Sequence, residues 1–105
     1  MRESFPQAVD LASDPAWQVY EFSRDGIRYV EINDRSGVVR AAVGRIGETF
    51  WVMPIGIDAD RVSVSGVATQ AGAYRSLYKR EDIEIELLES ANGTYWLIRS
   101  PAQAQ

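Results

Sequence analysis

The sequence predicts an all-β protein, an antiparallel meander of six to seven strands forming a small barrel or a two-layer sandwich, with a short N-terminal arm or helical turn. Three observations carry that expectation. Short segments alternate apolar and polar residues with a period of two, which is the pattern of half-buried strands. Turn dipeptides, above all Asp25-Gly26 and Asn92-Gly93, sit between such segments at hairpin spacing. No long amphipathic helix is present to cover one face of a flat sheet, so the apolar face must be buried against more sheet.

The elements follow in chain order. Residues 1–15 read as an arm, with one helical turn over 7–12 that would turn Val9 and Leu11 toward the body. Asp14-Pro15 ends it, because a residue preceding proline is pushed toward extended conformations. Residues 16–24 carry Trp17, Val19, Tyr20 and Phe22, and residues 27–33 alternate Ile27, Tyr29 and Glu31 against Arg28, Val30 and Ile32. With Asp25-Gly26 between them they form a hairpin. A second turn at 34–37 leads to a strand over 38–45, and a fourth strand covers 48–53, ended by Pro54 and Gly56. Residues 61–68 form a fifth strand after a loop at 58–60.

Residues 69–80 fit a loop followed by a strand, with a short helix as the alternative, since Tyr74, Leu77 and Tyr78 also have helical spacing. Residues 82–89 alternate Ile83, Ile85 and Leu87 with Glu84, Glu86 and Leu88, and residues 94–99 close the Asn92-Gly93 hairpin. This divides the chain into an arm (1–15), one β domain (16–100) and a tail (101–105).

Composition narrows the chemistry. The 105 residues include no Cys, which excludes disulfides, thiol catalysis and thiolate metal sites. They include no His, which removes the commonest general base and transition-metal ligand. A net charge of −4 opposes the phosphate backbone, so nucleic acid is not expected as the main partner. No apolar run reaches the ~20 residues of a membrane helix, so no membrane insertion is expected. The N-terminus lacks the apolar stretch of a signal peptide, which leaves a cytoplasmic protein, or a periplasmic one if Met1 stands in place of a removed signal.

The short motifs in the chain each have a plainer reading. Ser76-Leu77-Tyr78-Lys79 has the S-x-x-K spacing of serine enzymes, but that chemistry needs a helix and two further motifs that are missing. Glu84 and Glu86 lie ~7 Å apart along a strand, which suits acid–base work, but also any amphipathic strand with a solvated acidic face. Asp58-x-Asp60 lacks the rest of a calcium loop, and Arg61 would compete for its carboxylates. Gly44-Arg45-Ile46-Gly47 lies between strands, where a tight hairpin explains it better than an RNA-clamping loop. Asn92-Gly93-Thr94 matches a glycosylation acceptor and equally a hairpin tip.

What remains is surface. Residues 74–80 combine Tyr74, Arg75, Tyr78, Lys79 and Arg80, a basic aromatic stretch able to grip an anionic ligand. The acidic run from Glu81 to Glu89 is its expected intramolecular partner. Trp17, Trp51 and Trp96 are core candidates, with Trp51 and Trp96 carried forward as interface anchors. The expected function is a non-catalytic protein-interaction module. A small-ligand-binding β-barrel carrier and a small enzyme using Asp, Glu and Tyr are the alternatives. No cofactor, metal or catalytic residue is assigned.

Overall fold

A computed structural model describes residues 15–65, 68 and 70–101. Residues 1–14 of the arm, with its helical turn, therefore lie outside the described residues, as do residues 102–105 of the tail. Eight strands form two four-stranded sheets that are not closed into a barrel. The first sheet is a meander of β1 (Trp17–Arg24), β2 (Ile27–Asp34), β3 (Val39–Ile46) and β4 (Thr49–Val52). The second has the order β5-β8-β7-β6, built from β5 (Val62–Ser63), β6 (Arg75–Lys79), β7 (Glu84–Ser90) and β8 (Gly93–Arg99).

The chain departs from a pure meander at one place. β5 pairs with β8 in parallel, through Val62 opposite Trp96 and Ser63 opposite Leu97. The fifth strand expected over 61–68 thus contracts to two residues, and a 3-10 turn (Ala59–Arg61) leads into it. Within 69–80 the loop-then-strand reading matches the backbone: the strand begins at Arg75.

The turns explain the register. Arg24 faces Ile27 across a two-residue loop in which Asp25 (φ 54°) and Gly26 (φ 82°) are both left-handed. That geometry matches the twist of the flanking strands and selects an Asp-Gly pair. After β2 the Asp34 carboxylate closes the turn, accepting from the Ser36 hydroxyl at 2.6 Å and from the N–H groups of Ser36 and Val38 at 3.0 and 3.1 Å. The last hairpin turns one residue earlier than its Asn-Gly signal suggests. Ser90 faces Gly93, so the loop is Ala91-Asn92 and Gly93 already belongs to β8.

The period-two alternation sends one side of every long strand inward. Trp17 and Val19, Val30 and Ile32, Ala41 and Val43 come from the first sheet. Ile85 and Leu87, and Trp96 and Ile98, come from the second, joined by Ile83 just ahead of β7 and by the adjacent Leu77 and Tyr78, which an irregularity in β6 buries together. All of them make one buried cluster. Trp17 and Trp96 meet edge to face across the two sheets, with centroids 5.0 Å apart and planes at 89°. Edge-on aromatic pairs of this kind stabilise by about 0.5–1.5 kcal/mol beyond the area they bury.

Glu84 and Glu86 point away from this cluster, as the alternation requires, but they are not a solvated face. Glu84 is buried and Glu86 half-buried, and Arg99 Nη2 reaches them at 3.6 and 3.4 Å. Neighbouring cross-strand positions bring the arginine to both carboxylates.

Candidate binding surface

The basic aromatic segment does not stay together. Its strand turns alternate residues to opposite faces, and an irregularity between Ser76 and Tyr78 shifts the register. Tyr74 is half-buried and donates to the Gln70 carbonyl at 2.8 Å. Arg75 is exposed and reaches Glu89 on β7 at 3.4 Å. Lys79 is exposed opposite Glu84.

Tyr78 turns inward and is buried, donating to Glu21 at 2.6 Å, while Arg80 donates to the Tyr78 oxygen at 3.1 Å. Burial, with the hydrogen bond to Glu21 added to it, pushes the Tyr78 phenol up to about 12. Ser76 and Lys79 lie on this strand and not on a helix, so the S-x-x-K geometry is not met.

Next to Tyr78 lies an ionic cluster between the sheets. Arg28 reaches Glu21 at 2.9 Å and Asp82 at 3.5 Å. Arg45, 5% exposed, donates to the Asp82 carboxylate at 3.2 Å, to the Asp82 carbonyl at 3.3 Å and to the Gly47 carbonyl at 3.2 Å. Burial works against ionised Asp82, but the hydrogen bond from Arg45 and the charges of Arg45 and Arg28 outweigh it and lower its pKa. The cations and carboxylates of this cluster engage each other, so its role is cross-linking the sheets.

A second polar centre is built on Asp58, which the sequence suggested was part of a plain turn. It is 0% exposed. One carboxylate oxygen accepts from Arg61 at 2.6 Å, and the other accepts from Trp96 Nε1 at 2.9 Å and lies 3.0 Å from Arg40 Nη2. Its N–H donates to the Arg40 carbonyl at 2.7 Å. Arg61 Nε also donates to the Thr94 carbonyl at 3.2 Å, and the Arg40 guanidinium lies 5.2 Å from the Trp17 ring centroid. Asp58 thereby ties the 3-10 turn to β3 in one sheet and to β8 in the other. The one sequence trace of this is the i,i+3 spacing of Asp58 and Arg61; Arg40 and Trp96 come from distant parts of the chain. Trp96, 1% exposed, belongs to this knot and to the core, away from any surface.

Trp51 is half-buried on the face of the first sheet opposite the core. Its indole lies across Gly44 on the neighbouring strand, where an added Cβ would come within 2.7 Å of the ring. Glycine at 44 is therefore what lets the ring lie flat on β3. This is the outer face of the sheet, and it carries further aromatic side chains. Phe22 on β1 sits directly opposite Tyr29 on β2, and their rings stack at 5.4 Å and 24°. Tyr20 sits opposite Glu31, and Glu31 opposite Ala42. Met53 continues beyond β4, its N–H donating to the Ala42 carbonyl at 2.9 Å.

Part of this face forms a groove of about 470 Å³ bounded by Phe22, Tyr29, Glu31, Ala42, Met53 and Ile55, with Arg24 and Asp25 at the hairpin end. Ile55 is 48% exposed on its rim, and Ile46 and Ile57 on the same sheet and its following loop are 57% and 59% exposed. Apolar residues exposed together are the mark of a contact surface, whereas a lone exposed isoleucine is ordinary. The period-two spacing puts Ile27, Tyr29 and Glu31 on one face of their strand. Which side of the sheet that face occupied, and that Phe22, Met53 and Ile55 would join it, required the strand order.

Among the described residues, no group of three or more Asp or Glu is placed to hold a metal ion, and no helix is long and apolar enough to cross a membrane. Comparisons of the chain with family models, with curated proteins and with solved structures gave no match.

Proposed function

We propose that the protein is a non-catalytic interaction module, a single two-layer β-sandwich that binds another polypeptide through the outer face of its first sheet. The observation that carries this reading is the groove lined by Phe22, Tyr29, Met53 and Ile55, with Ile55 exposed on its rim. Partly exposed aromatics and Met are the side chains enriched at the centre of protein interfaces. The two ionic clusters support the same reading by default: Asp58 and Asp82 are held by arginines and serve to join the sheets.

The test is co-purification of cross-linked partners with wild-type protein, Ile55→Asp and Arg75→Gln. Ile55→Asp places a charge on the groove rim, and Arg75→Gln alters the exposed strand of the other sheet. A partner recovered by the wild type and by Arg75→Gln, but lost with Ile55→Asp, supports the reading. A partner retained by Ile55→Asp and lost with Arg75→Gln moves the interface to the basic segment and refutes it.

A further inference from the structure

The charge inventory of the groove points to one kind of occupant. Three charged side chains line it: Arg24, Asp25 and Glu31. Arg24 and Asp25 lie at the exposed hairpin tip, 3.9 Å from each other. Glu31 is different. It is half-buried in the middle of the sheet, and among the described residues neither an ion pair nor a hydrogen bond engages its carboxylate. Its cross-strand neighbours are Tyr20 and Ala42, and Tyr29 is two residues away on the same face, ~7 Å by strand rise. The small Ala42 leaves the depression beside it, and the stacked Phe22–Tyr29 pair forms one wall.

A half-buried carboxylate with no cation beside it is costly to desolvate further, so an uncharged apolar partner would pay that cost without return. A partner that brings one positive charge removes it. A flat guanidinium suits the site better than a compact ammonium, because it can lie on an aromatic face while its N–H groups meet a carboxylate. Resting on the interaction-module reading, we propose that Glu31 and the Phe22–Tyr29 ring pair form a subsite for a single arginine side chain of the partner polypeptide.

The test needs no partner in hand. Wild-type protein is titrated with Nα-acetyl-arginine methylamide and, separately, with the uncharged citrulline analogue, following backbone amide shifts by NMR. The expected result is saturable shifts localised to Phe22, Tyr29 and Glu31 with the arginine probe, and a much weaker response to citrulline. Glu31→Gln is expected to lower arginine-probe affinity about 1.5- to fivefold, the range for losing one exposed charge pair. Equal response to the two probes, shifts located elsewhere, or a Glu31→Gln affinity equal to wild type would overturn the subsite. The probe comparison on the wild type stands even if Glu31→Gln folds poorly. Failure here, combined with partner loss in Ile55→Asp, rejects the arginine subsite and keeps the docking face. Partner binding indifferent to Ile55→Asp rejects the docking face itself.

Discussion

Replacing Asp58 with Ala should be the most damaging single polar substitution in the protein. The carboxylate is fully buried and holds Arg61 at 2.6 Å, Arg40 at 3.0 Å and Trp96 Nε1 at 2.9 Å. Its removal takes the nearest carboxylate from two guanidinium groups, leaving Arg40 with Asp34 at 3.7 Å and Arg61 with the exposed Asp60 at 3.6 Å, and leaves one buried indole N–H without an acceptor. Deleting one partner of a buried ion pair costs about 3–5 kcal/mol. The arginine side chains are 20% and 25% exposed, so water relieves part of that cost and the lower end applies to the ionic part. The orphaned indole N–H adds about 1–3 kcal/mol. A total near 4 kcal/mol is a large part of the 5–15 kcal/mol that holds a typical domain together.

Urea denaturation followed by Trp fluorescence reads this directly, because Trp96 itself reports on the knot. For a domain near 100 residues, ~4 kcal/mol also lowers Tm by roughly 15–30 °C. A cycle with Arg61→Gln tests the mechanism: the two changes should be non-additive by about 1–3 kcal/mol, since each removes the same contact. A loss below about 1 kcal/mol for Asp58→Ala, or strict additivity with Arg61→Gln, would refute the view that this centre joins the two sheets.

Three further outcomes are expected. Gly44→Ala should displace the Trp51 indole and cost about 1–3 kcal/mol, with a red-shifted and more quenchable fluorescence; an unchanged spectrum would show that the ring does not lie on Gly44. Tyr78 should remain protonated until about pH 12, so alkaline absorbance titration should show one late phenol that Tyr78→Phe removes. Since its folded pKa is raised, the stability linked to it is fully present below the ordinary tyrosine value and is lost as pH rises from about 10 toward about 12. Asp34 and Asp82 have lowered values, Asp34 chiefly through the Ser36 hydroxyl and Asp82 through Arg45 and Arg28 against the opposing effect of burial. Their contribution is present above the ordinary aspartate value of about 3.9 and is lost as pH falls below it, so the urea midpoint should drop in that window and drop less in Asp34→Asn.

The β class, the first hairpin and most strand positions were legible in local pattern. Alternation in β1, β2, β7 and β8 is a backbone property, since successive side chains of an extended chain must point to opposite faces. The Asp25-Gly26 turn is equally local, because two consecutive left-handed residues exclude most side chains. The two-residue β5 was overestimated for the complementary reason: Val62 and Val64 alternate well enough, but pairing with β8 extends only as far as Val62 and Ser63. Propensity cannot report where a partner strand ends.

The candidate surface was half legible. Tyr29 and Glu31 could be placed on one face from spacing alone. Their union with Phe22, Ala42, Met53 and Ile55 depends on the strand order β1-β2-β3-β4, which sets the neighbours of Glu31. The basic segment 74–80 looked coherent only because its residues are adjacent in sequence, and the β6 pleat divides it between core and surface. Trp96 looked like a possible anchor by residue type, and burial against Asp58 and Trp17 decided otherwise.

By itself, then, the sequence determined the secondary structure class, which residues share a face on β2 and β7, and the absence of thiol and imidazole chemistry. The tertiary structure alone decided which carboxylates are neutralised and that Glu31, on the groove, has no ion pair among the described residues. That division has a physical cause. Alternation and turn chemistry act over two to four residues, whereas the cost of a buried charge depends on what folding brings to within about 4 Å of it, from anywhere in the chain.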